Sequence, residues 1–304
     1  MNTLTKINYK GWQNIYQLSN GTVDLVILTD VGPRIIRFGF IGGANLFAEI
    51  PGQQGGRGEA EWQLRGGHRL WVAPEAKPWS YELDNEPYEA VEAVAGGVRV
   101  RQKPGPVTRI AKEMEIVLDA GRNRLTVTHR LTNRGAKPVE CAAWAPTVMG
   151  PGGQAIIPLP AHIPHSERLL PNQSWSLWGY TDFSDPRWTL GSRYIFFRQD
   201  ASRGPNKLGL AHREKWVAYQ RAGALFIKVF DRLDDAVYPD GGCNFETFSN
   251  EQMLEIESLG PLTTLRKGAS VEHTETWSLF RDVPLCKTED DVDRAVRPLA
   301  AKSV

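Results

Sequence analysis

The chain has 304 residues, of which 41% are hydrophobic, and a formal net charge of +1. A nearly neutral chain with interspersed acids and bases offers no electrostatic footprint for nucleic acid or an anionic membrane. Residues 1 to 12 lack an apolar core of signal-peptide length, and no apolar run approaches the roughly 18 residues of a membrane span. We therefore expect a cytoplasmic protein whose partner is a small molecule.

Metal-binding and disulfide patterns are not apparent. The three cysteines, Cys141, Cys243 and Cys286, are widely spaced and form no CxxC pair. This arrangement indicates neither a disulfide framework nor a zinc site. His162 and His165 lie in a proline-flanked loop with no acid or cysteine nearby in sequence. The sequence thus signals no metal and no cofactor.

From residue 9 onward, short apolar runs alternate with turn residues. Residues 15 to 18 and 23 to 28 flank Asn20-Gly21, a pair that accepts the positive φ angles of a tight hairpin turn. Further strands are predicted at residues 34–40, 90–94, 98–102, 107–118, 125–131, 138–147, 194–197, 207–212, 216–220, 224–230, 245–248, 253–259 and 271–280.

Two other segments depart from this pattern. Residues 158 to 189 form a long loop, whose aromatic residues argue against disorder and predict either a ligand-stacking surface or a small core beneath the loop. These aromatic residues of the loop are Trp175, Trp178, Tyr180, Phe183 and Trp188.

Residues 288 to 301 are predicted to be helical, because Thr288 can cap a first turn that contains three acids.

The strand spacing and the near absence of helix predict an all-β fold of two stacked antiparallel sheets. We expect one large β-sandwich domain over residues 1 to 285, followed by a helical tail over residues 286 to 304. No glycine-rich nucleotide loop, GxSxG elbow or HExxH motif is present. The common nucleotide and hydrolase sites are therefore not indicated.

The segment at residues 253 to 259 is the most unusual strand. Read with period two, Leu254 and Ile256 face one side, and Met253, Glu255 and Glu257 face the other. Carboxylates lose solvation when a sheet face is covered, and a neighbouring pair repel each other. Either this face is solvated and the glutamates are ordinary surface residues, or it lines a cavity where they do chemistry.

Two histidines lie in contrasting patterns. Gly66 and Gly67 let the backbone approach a neighbour closely, and His68-Arg69 follows them directly, although a solvated turn fits equally well. His129 shares the apolar face of its strand, where a hydrogen-bonded core histidine is more common than a catalytic one.

Several segments recur in an order that resembles the galactose mutarotase-like superfamily, to which the aldose 1-epimerases belong. The resemblance covers most of residues 9 to 281 and implies a supersandwich that binds a sugar in the concave face of one curved sheet. The matching segments are VGPRII at 31–36, RGGHRLW at 65–71, residues 125–133, LEIESLGPL at 254–262, LRKG at 265–268 and ETWSL at 275–279.

The resemblance also implies a general base on a late strand, which would be Glu257, with Glu255 as the alternative. The base takes the proton of the anomeric hydroxyl while an acid protonates the ring oxygen, so that the ring opens and recloses as the other anomer. In that family the acid is a histidine, but the corresponding residues 141 to 150 contain none. His68, or otherwise His129 or His212, would then supply the acid.

Substrate-binding residues follow from the same resemblance. Arg34 and Arg69 would hold a carboxylate or sugar hydroxyls, because a guanidinium fork suits planar anions. Trp71 and Trp144 complete this predicted set, together with His129 and His212. The expected ligand is a small sugar or sugar acid.

Three functions remain open at this level. The first is an aldose 1-epimerase-like isomerase that uses Glu257 and His68. The second is a non-catalytic carbohydrate-binding protein, and the third is a glycan-cleaving hydrolase or lyase that pairs one of these glutamates with Glu246. Either Glu255 or Glu257 can face the cleft, since one bulge would reverse the faces of the strand.

Overall fold

A computed structural model describes residues 1 to 304. The strands are β1 (Thr3–Tyr9), β2 (Trp12–Ser19), β3 (Val23–Leu28), β4 (Arg34–Phe40), β5 (Gly67–Arg69), β6 (Trp71–Ala73), β7 (Ala90–Val94), β8 (Gly97–Arg101), β9 (Ile110–Leu118), β10 (Arg124–Asn133), β11 (Val139–Met149), β12 (Gln154–Pro158), β13 (Trp175–Leu177), β14 (Trp188–Leu190), β15 (Tyr194–Arg198), β16 (Asn206–Leu210), β17 (Trp216–Arg221), β18 (Ala224–Phe230), β19 (Phe245–Ser249), β20 (Leu254–Leu259), β21 (Thr263–Leu265) and β22 (Ser270–Phe280). The helices are α1 (Pro239–Gly242), α2 (Glu289–Ala295) and α3 (Arg297–Ala301).

The strands form two large antiparallel sheets. The twelve-stranded sheet has the order β1-β2-β3-β4-β5-β11-β20-β19-β16-β13, and β6 and β21 also pair with β11. The ten-stranded sheet has the order β14-β15-β12-β17-β18-β22-β10-β9-β8-β7. The predicted all-β sandwich is therefore confirmed.

A core of 40 buried apolar residues draws on both sheets. Leu254 and Ile256 contribute from β20, and Val127 contributes from β10. At its centre the rings of Phe47 and Trp277 meet edge to face, with centroids 5.6 Å apart. In many of the strands alternate residues enter this core, so the removal of apolar surface from water holds the sheets together.

The hairpin predicted at Asn20-Gly21 joins β2 to β3. Gly21 has a φ of +88°, which a glycine adopts without steric cost. The Asn20 side-chain oxygen accepts hydrogen bonds from the backbone N–H groups of Thr22 and Val23, both at 3.0 Å. Local turn chemistry alone accounts for this part of the fold.

The glycines at positions 66 and 67 serve the sheet rather than a ligand. Gly66 has a φ of +99°, and a Cβ atom there would lie 2.0 Å from the carbonyl oxygen of Ala48. Gly67 has a φ of +70°, and its Cβ would lie 2.3 Å from the carbonyl oxygen of Ile35. The close approach predicted from the sequence lets β5 pair with both β4 and β11.

The long segment at residues 158 to 189 contains two short strands that the sequence did not predict. These are β13, at one edge of the twelve-stranded sheet, and β14, at one edge of the ten-stranded sheet. The ring of Trp188 stacks on Phe197 with centroids 3.6 Å apart. Both rings belong to the core of 40 residues, so this part of the loop packs on the main core and not on a small core of its own.

The carboxy-terminal helix begins as predicted and is broken in its middle. The Thr288 hydroxyl accepts from the Asp291 N–H at 3.2 Å, and the Asp291 carboxylate accepts from the Thr288 N–H at 3.0 Å. This reciprocal capping box satisfies two otherwise unpaired donors. The helix is interrupted at Val296, and a second short helix starts at Arg297 with Pro298 in its first turn.

The two terminal helices pack on the outer face of the ten-stranded sheet. Val292 and Val296 join a cluster of 12 buried residues that includes Ile156 and Ile227. No helix of the chain is both long enough and apolar enough to cross a bilayer.

Candidate functional site

The acidic strand β20 lies between β11 and β19 in the twelve-stranded sheet. Leu254 and Ile256 belong to the core, so the side chains of Glu255 and Glu257 lie on the opposite face of the sheet. That face is covered, because Glu255 and Glu257 are only 6% and 1% exposed. Of the two interpretations of this strand, the structure supports a cavity wall rather than a solvated surface.

Both glutamates line a cavity of about 250 Å³, which we call the acidic cavity. This volume corresponds to roughly eight water molecules at ~30 Å³ each and is smaller than the ~300 Å³ at the low end of pockets for drug-sized ligands. A ligand the size of a monosaccharide fits such a space. The lining residues are Trp62, Leu64, Arg69, Trp71, Glu75, Tyr81, Trp144, Tyr180, Lys207, Phe248, Asn250, Met253, Glu255 and Glu257.

Glu257 is a buried acid of this wall with a raised pKa. The Trp144 indole N–H donates to its Oε2 at 2.8 Å, whereas its Oε1 has no hydrogen-bond partner. Burial raises the pKa of Glu257 to about 7, against the attraction of Lys207. At neutral pH the carboxyl is therefore close to half ionised, which is the condition that favours a general base.

Lys207 holds a second buried carboxyl beside Glu257. Its Nζ lies 2.6 Å from Oε2 of Glu246 and 3.9 Å from Oε2 of Glu257. Burial favours the neutral amine, but the two carboxylates outweigh it and raise the pKa of Lys207. Burial also raises the pKa of Glu246 well above its ordinary value. One ammonium thus lies between two carboxyl groups. Ionising both carboxyl groups costs free energy, because two neighbouring carboxylates repel each other.

The strand register brings these groups together. Glu246 on β19 is paired with Glu257 on β20, and Phe248 is paired with Glu255. Lys207 on β16 is paired with Phe248 in turn. Residues paired across neighbouring strands share one face of the sheet, so three strands contribute to a single polar patch.

Trp178 of the long loop lies over Lys207, next to Gly209 of β16. A Cβ atom at Gly209 would lie 3.0 Å from the Trp178 ring. The missing side chain lets Trp178 approach the sheet, where its ring centre lies 4.5 Å from Lys207 Nζ. An ammonium over an indole face is stabilised electrostatically, and the indole also excludes water from it.

Arg69 and Glu255 form a separate ion pair in the same wall. The guanidinium donates to Glu255 Oε1 at 2.8 Å, and both side chains are nearly buried. The Arg69 Cζ atom lies 4.2 Å from the Trp71 ring centre and 5.5 Å from that of Trp62. Glu255 thus has an ion-pair partner at hydrogen-bond distance, whereas Oε1 of Glu257 has no partner.

Solved structures share this architecture at low sequence identity. A galactose mutarotase-like protein from Lactobacillus casei superposes with a TM-score of 0.60 and 13% identity over 88% of this chain and 100% of that chain. A galactose mutarotase related enzyme from Lactobacillus acidophilus gives 0.56 and 10% over 90% and 100%. A galactose mutarotase-like protein from Clostridium acetobutylicum gives 0.56 and 8% over 92% and 98%.

The chain has the galactose mutarotase-like fold. The superfamily resemblance of the sequence is thereby confirmed at the level of the fold. No protein-family model and no curated protein matches the sequence. Since one fold hosts many functions, the function of this chain must be argued from its own residues.

The mutarotase-like fold brings five of the nine residues predicted for the site to the acidic cavity. They come from β5, β6, β11 and β20, which neighbour one another in the twelve-stranded sheet. These residues are Arg69, Trp71, Trp144, Glu255 and Glu257.

His68 does not reach the cavity, which corrects the expectation that it supplies an acid there. It precedes Arg69 on β5, and adjacent residues of a strand point to opposite faces. The His68 ring is fully buried, with Nδ1 2.9 Å from the Thr147 hydroxyl and Nε2 2.7 Å from His129 Nε2. Burial lowers the pKa of His68 well below its usual range, so the ring is neutral.

His129 is a hydrogen-bonded core histidine, as its apolar strand face indicated, and does not contact the cavity. Its Nδ1 lies 2.9 Å from the carbonyl oxygen of His273, so Nδ1 carries the hydrogen and donates it. Its Nε2 must then accept a hydrogen bond from His68 Nε2. Both rings are neutral tautomers assigned from their partners.

A buried ion pair completes this core network. Lys228 Nζ lies 2.8 Å from Glu275 Oε1, and the indole N–H of Trp277 donates to Glu275 Oε2 at 2.8 Å. Ligand atoms of His68, His129 and Glu275 lie within 4.8 Å of one another. The histidine nitrogens are already paired and an ammonium neutralises the carboxylate, so these residues do not suit a metal ion.

Arg34 and His212 also lie away from the cavity, contrary to the substrate-binding roles expected for them. Arg34 is fully buried, pairs with Asp84 at 2.9 Å and donates to the carbonyl oxygen of Leu64 at 2.7 Å. His212 Nε2 lies 2.9 Å from the carbonyl oxygen of Trp216. Both side chains stabilise backbone segments.

Lys207 and Tyr180 line the cavity without having been predicted as site residues. The period-two pattern of β16 is the signal that could have found Lys207. Leu208 and Leu210 face the core, so Lys207 faces the opposite side of the sheet. Tyr180 lies in the aromatic loop, for which contact with a ligand was one of the two interpretations. The sequence did not indicate that this loop covers the acidic strand.

Proposed function

We propose that the acidic cavity binds a free sugar and that the protein is an aldose 1-epimerase-like isomerase with Glu257 as its base. The observation that carries this proposal is the state of Glu257. Its carboxyl lines a sugar-sized cavity, its Oε1 is without a partner, and its pKa is raised to about 7. A base of this strength removes a hydroxyl proton at neutral pH and returns it later.

The proposed reaction interconverts the two anomers of the sugar. Glu257 takes the proton of the anomeric hydroxyl, the C1=O bond forms, and the bond between C1 and the ring oxygen breaks. The departing ring oxygen takes a proton from an acid in the cavity. Rotation about C1–C2 and the reverse transfers close the ring with the hydroxyl on the other face.

Lys207 is the proposed acid. Its ammonium lies 3.9 Å from Glu257, so the two side chains can contact the anomeric hydroxyl and the ring oxygen of one sugar, which are both bonded to C1. The departing oxygen is an alkoxide, a base strong enough to take a proton from an ammonium whose pKa is raised. Glu246, bound to Lys207 at 2.6 Å, keeps the ammonium in this position.

The charge balance of the cavity favours a neutral sugar over a sugar acid. Arg69 is paired with Glu255 and Lys207 with Glu246. A carboxylate on the ligand would have to displace one of these buried partners, which is costly. The rings of Trp71, Trp144 and Tyr180 offer apolar surface to the carbon face of the sugar, as is usual for small-molecule sites.

Anomer-exchange NMR tests this proposal. Wild-type protein should accelerate the exchange of α and β anomers for at least one neutral aldose in a panel that includes glucose, galactose and glucuronate. Glu257→Gln and Lys207→Met should each abolish the acceleration. Glu140→Gln, an exposed change on β11, is the matched control and should leave the acceleration intact.

A second candidate is a sugar-binding protein without turnover. The observation that favours it is that no histidine lines the acidic cavity. It predicts line broadening of one sugar without faster exchange, together with loss of binding in Arg69→Ala. That combined result would refute the isomerase.

A further inference from the structure

A second cleft, of about 600 Å³, lies between the loop after β12 and the residues that follow β16 and β18. Three arginines line it, Arg168, Arg213 and Arg232, and Glu214 is the one acid among its 12 lining residues. We call it the arginine cleft. It shares no residue with the lining of the acidic cavity.

Arg232 forms no ion pair with an acid of the chain, although Asp234 attracts it from a longer distance. Its NH1 donates to the carbonyl oxygen of Gly242 at 2.9 Å and to the side-chain oxygen of Asn244 at 3.2 Å. Its Cζ lies 4.5 Å from the ring centre of Tyr238, and its buried Nε has no partner. All of these contacts are to neutral groups, so the guanidinium keeps hydrogen-bonding capacity for an anion.

The position of Arg232 is fixed by the strands beneath it. The Asn244 side chain accepts from the His212 N–H at 2.6 Å and donates to the His212 carbonyl oxygen at 2.9 Å. Asn244 and His212 are both buried, so this anchor is rigid. A guanidinium held in place before binding loses less conformational freedom when a ligand arrives.

The other arginines add to the positive charge of the cleft. Arg168 donates only to the carbonyl oxygens of Leu170 and Pro171, at 3.1 and 3.2 Å. Arg213 pairs with Asp234, but both side chains are exposed, and such surface pairs contribute little. Glu214, the one acid that lines the cleft, is partly buried, and burial raises its pKa.

We propose that the arginine cleft binds a small molecule with an oxyanion group, a carboxylate or a phosphate. Arginine forks match the paired oxygens of these groups and bind them through charge-assisted hydrogen bonds. The amide side chains of Asn172 and Gln173 also line the cleft and serve further oxygens of the ligand. This proposal does not depend on the function of the acidic cavity.

The experiment follows the Arg232 Nε–H signal in two-dimensional ¹H–¹⁵N spectra of the full chain at constant ionic strength. Inorganic phosphate and glucuronate are the anionic probes, and glucose is the neutral one. The signal is assigned by its loss in Arg232→Gln. We expect the chemical shift of this signal to change and saturate with at least one anion and to stay constant with glucose. The anion that reaches saturation at the lower concentration identifies the preferred group.

A double variant, Arg168→Gln with Arg213→Gln, tests whether the cleft acts as a unit, and both positions are exposed enough to tolerate the change. It should weaken the affinity for that anion by about tenfold or more. Arg122→Gln, an exposed arginine of a different cleft, should leave the affinity unchanged. Absence of saturation, an equal response to glucose, or unchanged affinity in the double variant would each overturn the proposal.

Discussion

Glu257→Gln tests the electrostatics of the acidic cavity without any knowledge of the ligand. In the folded protein, burial raises the pKa of Glu257 from its ordinary value of 4.5 to about 7. Between these two pH values the folded state binds a proton that the unfolded state has released. The stabilisation from this proton is fully present below pH 4.5 and is lost as the pH rises through about 7.

The size of the effect follows from the size of the pKa change. A difference of about 2.5 in pKa corresponds to roughly 3 kcal/mol, since each pKa unit is worth about 1.4 kcal/mol. Glutamine does not titrate. The free energy of unfolding of wild type, relative to that of Glu257→Gln, should therefore fall by roughly 3 kcal/mol between about pH 4.5 and 7.5.

Urea unfolding at a series of pH values measures this difference, because the free energy of unfolding extrapolates linearly with urea. Glu140→Gln, which removes an exposed carboxylate, should follow the wild-type pH dependence closely. A constant difference between wild type and Glu257→Gln across this range would refute the raised pKa. It would also remove the main support for Glu257 as a base near neutral pH.

Three further changes have defined outcomes. Lys207→Met removes the positive charge that opposes the rise in the pKa of Glu257, so the midpoint of its ¹³C carboxyl NMR titration should move to higher pH, and an unchanged midpoint would contradict the contact. Glu275→Gln leaves the Lys228 ammonium buried without its counter-charge and should cost about 3–5 kcal/mol in urea unfolding, whereas a loss below about 1 kcal/mol would argue against the pair. Thr288→Ala removes the helix cap and should cost about 1 kcal/mol in the same assay, while Thr288→Ser should retain most of the stability.

Local sequence features determined much of the fold. The Asn20-Gly21 pair specifies its turn through the backbone angles it accepts, and Thr288 with Asp291 specifies a helix start through hydrogen bonds within one turn. The alternation of Leu254, Glu255, Ile256 and Glu257 also held, since no bulge interrupts the pairing of β20 with β11 or β19. These features depend on neighbours within a few residues.

The composition of the site depended on contacts that the sequence does not encode locally. His68 and Arg69 are adjacent, yet one enters the core and the other the cavity, and only the pairing of β5 with β4 and β11 decides which. His68 was predicted as the acid because a histidine can donate a proton near neutral pH. In the structure its ring is buried in the core beside His129, so it cannot contact a ligand in the cavity.

Lys207 shows the converse case. It lies 50 residues before Glu257 in the chain and reaches it only because β16 and β20 flank β19. The sequence by itself determined the all-β class, the hairpin turn and the amphipathic acidic strand, because each arises from period-two patterning or turn chemistry. The tertiary structure decided which groups share the cavity and how far their pKa values shift, because burial and charge pairing arise only when distant strands meet.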